Sequence, residues 1–199
     1  MINIEKISST EPYKKFVNFY NKAFDADQKV IEAISISSFD RQNNEVESRH
    51  VNLKYIIGDE WIFFSNYESP KAKQFKMHDQ ITALFFWNSI NVQIRIKAII
   101  NKTDEDFSNL HYISRAKEKN ALAHSSKQSN NIESYDAVIK NYETILLDKE
   151  KLKKRPDYWG GFSFKPYYFE FWEGNIHRLN RREVFSILNN KWKKNYLQP

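Results

Sequence analysis

Cysteine is missing from all 199 residues, and glycine occurs only four times, at positions 58, 160, 161 and 174. Without cysteine there can be no disulfide scaffold, no thiol nucleophile and no cysteine-based metal site. Four glycines placed this way cannot form a G-x-G-x-x-G fingerprint or a phosphate-cradling P-loop. A bound phosphate must therefore be held largely by Arg, Lys, Ser and Gln side chains. The five histidines show no H-x-x-x-H or comparable spacing, so no metal is expected. Ser, His and Asp occur without a nucleophile-elbow context, which leaves hydrolase chemistry unsupported. No apolar run approaches a membrane span, and "MINIEKISST" carries no signal-peptide core. The expectation is a cytoplasmic protein with no membrane partner.

What is present is a globular composition, 41% hydrophobic and 16% aromatic, long enough for one large domain spanning 1–199. The formal net charge is +6 and the pI about 9.2, a balance that favours anionic partners. Much of the excess is diffuse lysine, as in "KLKK" and "WKK", and no aromatic–basic recognition motif singles out nucleic acid.

Residues 11–27 place Phe16, Phe19, Tyr20 and Phe24 at helical spacing, with Pro12 in the first turn. From residue 31 the pattern turns to short segments rich in β-branched and aromatic residues: "AISISSF", "VESRHVNLKYII", "EWIFFSNY", "QITALFFW" and "VQIRIKAII". Their closeness predicts antiparallel strands, with a short helix in "SPKAKQFKMHD". In "VQIRIKAII", Gln93, Arg95 and Lys97 fall on one face and Ile94, Ile96 and Ala98 on the other. Helices are predicted in "DEDFSNLHYISR" and "ESYDAVIKNYETILL", separated by the polar "AHSSKQSNN". The chain then returns to strands in "YYFEFWEG", "VFSILNN" and "KWKKNYL", with Asn189-Asn190 as a hairpin turn. The fold class is α+β, mainly β, built around an antiparallel sheet or barrel.

Residues 155–183 gather aromatic rings, three of the four glycines and Arg155, Arg178, Arg181 and Arg182 into one stretch. Flat apolar surface beside fixed positive charge suits a ligand flat at one end and anionic at the other. Taken singly, each candidate has a plainer explanation. Arg49 and Lys54 in "SRHVNLK" fit an edge strand with solvated charges. Ser65, Ser69 and Lys71 in "FFSNYESPKAK" lie at a strand-to-helix junction that suits an anion, or Ser69 simply caps the helix. Trp159 and Trp172 could be core, Arg178 and Arg182 surface ion pairs, and "SSKQS" a loop.

Their order along the chain is more specific. "R-x-V-x-L-K" (49–54), "F-F-S-N-Y-x-S-x-K" (63–71), "W-x5-Q" (87–93), "S-K-Q-S" (126–129), "W-G-G-F" (159–162) and "E-F-W-x-G-x-x-H-R-L-x-x-R" (170–182) together resemble the pyridoxamine 5′-phosphate oxidase family. The resemblance runs from about residue 30 to the terminal "LQP", and its last motif is the most specific. It implies an FMN-binding split β-barrel with flanking helices, assembled as a homodimer with FMN at the subunit interface. Residues 1–29 would be an N-terminal helical segment, and 155–199 the strands that complete the site. Carried over by position, FMN contacts fall on Arg49, His50, Val51, Asn52, Leu53, Lys54, Phe64, Ser65, Lys71, Gln93, Gln128, Ser129, Trp172 and Arg182. Substrate contacts fall on Lys54, His111, Arg115, Lys119, Arg178, Leu179 and Asn180, with Arg178 at the catalytic end.

The activity implied is oxidation of pyridoxamine or pyridoxine 5′-phosphate to pyridoxal 5′-phosphate, with O2 as acceptor and H2O2 as product. The flavin would carry the redox chemistry, and the protein would position and stabilise charge. Four positions depart from the family pattern. Pro70 stands where an arginine is usual, His111 and Lys119 replace a tyrosine and a serine, and Asn180 replaces a histidine. Asn can donate a hydrogen bond but cannot carry a proton or a positive charge. Two other readings therefore stand beside the first: a related FMN oxidase with a different substrate, as in phenazine biosynthesis, or a flavin- or B6-phosphate-binding protein with little turnover.

Overall fold

The computed structural model describes residues 1–199. Its strands are β1 (Asn3–Glu5), β2 (Ala33–Asp40), β3 (Glu45–Asn52), β4 (Tyr55–Ile57), β5 (Glu60–Asn66), β6 (Gln80–Trp87), β7 (Val92–Lys102), β8 (Trp159–Glu173), β9 (Arg181–Leu188) and β10 (Lys191–Leu197). The helices are α1 (Glu11–Asp25), α2 (Pro70–Met77), α3 (Glu105–Ser114), α4 (Lys117–Ser125), α5 (Tyr135–Leu147) and α6 (Lys149–Lys153). All ten strands belong to one sheet, in the order β1-β4-β5-β8-β7-β6-β2-β3, with β9 and β10 branching from β8. Every pairing is antiparallel except β1 with β4. No helix is long and apolar enough to cross a membrane.

Alternation dictates which face each strand buries. Along β7, Val92, Ile94, Ile96 and Ala98 are buried while Gln93, Arg95 and Lys97 point away from the core. The inward positions of β5, β6, β8 and β9 are largely aromatic: Trp61, Phe63, Phe85, Trp87, Phe164, Phe169, Phe171 and Phe185. Helix α1 lays Tyr13, Phe16, Phe19, Tyr20 and Ala23 against this cluster. Phe16 meets Trp61 edge-on at 4.5 Å between centroids. Each such ring removed from water stabilises the fold by roughly 1.5–3 kcal/mol. Phe24, expected on the same stripe, stays 52% exposed, because Ala23 occupies the inward position of that turn.

Strand β8 is longer than "YYFEFWEG" suggests, beginning at Trp159. Its first half pairs with β5 through Trp159–Phe164 and its second half with β9 through Tyr168–Glu173, while β7 runs along the other edge. Between the halves lies a bulge, where Lys97 faces Tyr168 and Ala98 faces Pro166. Proline has no N–H to offer, and neither β5 nor β9 reaches Pro166. Asn189 and Asn190 adopt φ of 51° and 58°, the left-handed pair that a two-residue type I′ hairpin requires.

Other elements also differ from the sequence expectation: "VESRHVNLKYII" is two strands, β3 and β4, parted at Leu53 and Lys54. Helix α4 takes in Ala123–Ser125, which read as part of a polar separator, α6 adds a short turn of helix, and β1 is a three-residue strand too brief to show periodicity.

At Gly161 β8 is tightly engaged against a stiff neighbour. A Cβ there would lie 2.4 Å from Thr103 Oγ1 and 2.8 Å from Thr103 Cγ2. Threonine is stiff at χ1 and cannot swing clear. Gly161→Ala is therefore expected to cost about 1–3 kcal/mol, read as a lower urea midpoint, with Thr103→Ala in the same chain recovering part of it. An unchanged midpoint would show that the strand has slack at this position.

Candidate active site

The fold gathers residues of β3, β5, α2, α3, α4 and β8, and of the turns after them, around one cavity of about 570 Å³. Strand β3 supplies Arg49, His50, Val51 and Asn52, and Lys54 follows it. Phe64 and Ser65 come from the end of β5, Pro70 and Lys71 from the start of α2, and Trp159 from the start of β8. Helix α3, N-capped by the Asp104 carboxylate, presents His111 and ends at Arg115. Lys119 lies in α4, and Gln128 and Ser129 lie beyond it, with Ser129 left-handed at φ 68°. Five cations line this space, and the only carboxylate among them is that of Glu47.

Arg49 is fixed from three sides. Its Nη1 donates to Ser38 Oγ at 2.6 Å. Its Nη2 donates to Glu47 Oε2 at 2.8 Å and to Gln74 Oε1 at 3.1 Å. Gln74, fully buried on α2, thereby ties the edge strand to the helix that carries Lys71. Lys71 is itself 6% exposed and has no carboxylate partner; its Nζ donates to Ser69 Oγ at 3.2 Å. Burial, and secondly the neighbouring Arg49, push its ammonium down to about 8. Ser69 occupies the N-cap position, yet its hydroxyl donates to the Asn66 carbonyl at 2.7 Å instead of capping the helix. A buried lysine without a counter-ion, beside a clamped arginine and two serines, is a donor set suited to a phosphate group.

The other cations gather around an aromatic stack. Phe64 lies parallel to both His111 and Trp159, at 3.7 and 5.4 Å between centroids. The Arg115 guanidinium sits 4.1 Å from the Trp159 ring centroid. Its Nη2 donates to the Lys119 carbonyl at 3.0 Å, while its Nη1 is buried without a partner. That orphaned donor is where an anionic ligand would complete the site. His111 is pushed down to about 4 by burial, then by Arg115, Lys54 and Lys119, so its imidazole is neutral at ordinary pH.

The remaining expected residues lie elsewhere on the chain. Leu53 is wholly buried in the core. Gln93, Trp172 and Arg182 sit side by side in register across β7, β8 and β9. Arg182 donates through Nε and Nη2 to Glu170 Oε1 at 2.9 and 2.8 Å. Arg95 and Tyr168 hold the other oxygen of the same buried carboxylate. Arg178 (φ 61°), Leu179 and Asn180 lie in the loop before β9, where Asn180 Oδ1 accepts the Asn175 N–H at 3.0 Å. None of these residues lines the cavity. The positions that sequence reasoning did not assign are Glu47, Ser48, Gln74, Glu170 and Tyr55. Glu170 stands first in the last motif, but nothing in a sequence announces that it pairs with two arginines.

Comparison with known proteins gives concordant matches. A family model described as the pyridoxine 5′-phosphate oxidase C-terminal dimerisation region matches residues 159–199. The pyridoxine/pyridoxamine 5′-phosphate oxidase of Colwellia psychrerythraea is 32% identical over 197 residues, covering 98% of this chain and 90% of that protein. Pyridoxine/pyridoxamine 5′-phosphate oxidase 1 of Hydrogenovibrio crunogenus is 30% identical over 193 residues, covering 96% and 89%. Among solved structures, PhzG from Burkholderia lata, in complex with tetrahydrophenazine-1-carboxylic acid, superposes with a TM-score of 0.87 at 22% identity, covering 95% of this chain and 93% of that one. A pyridoxamine 5′-phosphate oxidase-related FMN-binding protein from Nostoc punctiforme gives 0.75 at 10% identity, covering 96% and 100%.

Burial alone would raise the Glu170 carboxyl, but hydrogen bonds from Arg95 and Arg182 hold it below the ordinary carboxylate value. A depressed folded value means stabilisation that is present above the carboxylate range and lost as pH falls through it. Glu170→Gln is therefore expected to lose ~1–3 kcal/mol at neutral pH, towards the lower end because both arginines reach solvent. Denaturation between roughly pH 7 and pH 3 should show the two proteins converging in acid. Parallel curves would remove this role from the carboxylate.

Proposed function

The chain belongs to the pyridoxine/pyridoxamine 5′-phosphate oxidase family, and we propose that it is an FMN-dependent oxidase converting pyridoxamine or pyridoxine 5′-phosphate to pyridoxal 5′-phosphate. The observation carrying this reading is the cavity with five cations and a single carboxylate, which has charge for two phosphate groups and aromatic surface beside them. Arg49, Ser65, Lys71, Gln128 and Ser129 would hold the phosphate of FMN. Lys54, Arg115 and Lys119 hold the phosphate of the substrate, with His111 as a neutral neighbour. FMN, when bound, would supply the two-electron acceptor between the substrate and O2, with H2O2 as the second product.

The protein's share is positioning and charge. Arg115, braced against Trp159, fixes the substrate's anionic end without spending side-chain entropy at the moment of binding. Gln93, Trp172 and Arg182 belong to the same cofactor site by family position but do not share the cavity, so a complete site needs a second copy of the chain. The match of residues 159–199 to a dimerisation region supports that homodimer. Arg178 then acts at the reacting end of the substrate.

One observation favours a second reading, an FMN oxidase of a different substrate. The Asn180 side-chain oxygen is engaged by the Asn175 N–H, so this position braces its own loop, and it can offer no charge to a ligand.

Two expected outcomes test the proposal. FMN should bind the purified protein with oxidised-flavin absorption, and its affinity should weaken as pH rises through about 8, where free Lys71 loses its proton. The direction follows because only the ammonium attracts phosphate; Lys71→Met should bind more weakly and lose the pH dependence. No flavin binding at high micromolar FMN would sink both oxidase readings.

In peroxide-release assays, Arg115→Ala should raise KM for the phosphate ester about tenfold or more and spare FMN affinity, while Arg178→Ala should instead lower kcat. Asn180→His should raise kcat/KM with the B6 phosphates. If the wild type ignores both B6 phosphates while binding FMN well, and Asn180→His changes nothing, the different-substrate reading replaces the first.

A further inference from the structure

His111 sits in an aromatic bracket at the cationic end of the cavity. Its ring stacks on Phe64 with planes 13° apart, and Tyr55 meets its edge at 5.4 Å and 84°. Tyr55 Oη and His111 Nδ1 are 2.8 Å apart, and Nε2 has no hydrogen-bond partner in the protein. The same imidazole lines the cavity beside Lys54, Arg115 and Lys119. Tyr55 is held in turn by Phe107 on α3, at 5.4 Å and 74°. Burial, and secondly Glu5 on β1, raise the Tyr55 hydroxyl, so it keeps its proton.

A neutral imidazole has two tautomers, and they would face an anion in the cavity differently. With the proton on Nδ1, the ring would donate to Tyr55 and turn a bare lone pair towards the cavity, repelling an anion. With Tyr55 donating to Nδ1, the proton lies on Nε2, and the ring becomes a donor. Three cations already crowd this end, and burial makes a fourth charge costly. A neutral N–H adds a hydrogen bond without adding that charge. Phosphate presents three terminal oxygens and can use every donor offered, whereas a carboxylate has two.

We propose that Tyr55 is a positioning residue that holds His111 in its Nε2–H tautomer, making the ring a neutral donor to the anionic group gathered by Lys54, Arg115 and Lys119. This rests on the proposed function only in taking that group to be the substrate's phosphate.

The test uses the whole protein labelled with 15N-histidine and 15N-arginine, with His111 assigned from its loss in His111→Gln. Long-range 1H–15N spectra of the wild type at neutral pH should show the Nε2–H tautomer, and inorganic phosphate should shift the His111 and Arg115 resonances saturably. Tyr55→Phe keeps the ring packing but removes the hydroxyl, so it should mix the tautomers and weaken phosphate about fivefold. In the His111→Gln background, where an amide donor needs no tautomer, Tyr55→Phe should change phosphate affinity less than about twofold, followed on Arg115. An Nδ1–H tautomer in the phosphate-saturated protein, no saturable phosphate shift, or an unchanged affinity in Tyr55→Phe would each overturn the proposal. Because phosphate is the probe, an absence of peroxide release would sink the oxidase reading and leave these spectra to decide the role of Tyr55.

Discussion

The register of β8 is the constraint on which the rest of the molecule depends. One fifteen-residue strand pairs with β5, β7 and β9, and so joins the two halves of the sheet. It also reaches both groups of candidate site residues, with Trp159 at the cavity and Trp172 beside Gln93 and Arg182. A one-residue slip would turn each inward ring of Phe164, Phe169 and Phe171 to the wrong face and move both tryptophans. The bulge at Pro166 lets the strand change neighbours without losing its pairing to β7. Gly160 and Gly161 let its first residues pass under Tyr67 and Thr103, where a Cβ on either would come within 2.4 Å of a side-chain atom. The glycine-poor composition makes sense in these terms: three of the four glycines, Gly174 beside Asn91 included, stand where a Cβ would meet a side chain.

Charge is distributed by a complementary logic. Where cations serve architecture, a buried carboxylate is at hand. Glu183 is nearly fully buried and takes Lys15 from α1 at 2.7 Å, with Lys194 from β10 at 3.6 Å. It thereby ties the N-terminal helix to the C-terminal hairpin. Glu170 does the same for Arg95 and Arg182. Around the cavity the one carboxylate, Glu47, is taken by Arg49, and Lys71 and Arg115 are left buried or half-buried without an acidic partner. Removing a charge from water without a counter-ion is costly, and the shifts of Lys71 and Arg115 towards their neutral forms record that cost. An anionic ligand relieves it, so affinity is prepared by the fold before a ligand arrives.

Legibility in the sequence followed the length scale of each feature. Strands β2, β5, β6 and β7 were readable because period-2 alternation is local, and the Asn189-Asn190 turn because its chemistry occupies two residues. Helix α4 was not, since "KEKNALAHS" is polar on most faces and is held by packing against α5 and α6. The first half of β8 was hidden by its two glycines and by Phe162 and Phe164, which look like a loop until β5 and β7 flank them. Among site residues, those in ordered motifs could be placed by position, and Arg49, Lys54, Lys71, Arg115 and Lys119 meet at one cavity. Tyr55 and Gln74 could not, because their hydrogen bonds reach far along the chain, from Tyr55 to His111, 56 positions away, and from Gln74 to Ser38 and Arg49, 36 and 25 positions away.

The departures from the family pattern fall unevenly on this architecture, and their distribution bears on what has changed. Pro70 occupies the first turn of α2, where a fixed φ suits the helix start, and it lines the cavity beside Lys71. The loss of one cation there leaves Arg49 and Lys71 anchored by Ser38, Gln74 and Ser69, so the cofactor end is thinned but its framework is intact. At the substrate end the exchange runs the other way. Lys119 adds a cation where a serine is usual, and His111 presents an imidazole in place of a phenol. The added charge helps keep that imidazole neutral, since Lys119 is among the groups that depress it. The two side chains are compatible in charge: a lysine beside a protonated histidine would place like charges together, whereas beside a neutral one it adds to the attraction for an anion. The orphaned Nη1 of Arg115 marks where such an anion would complete the hydrogen bonding.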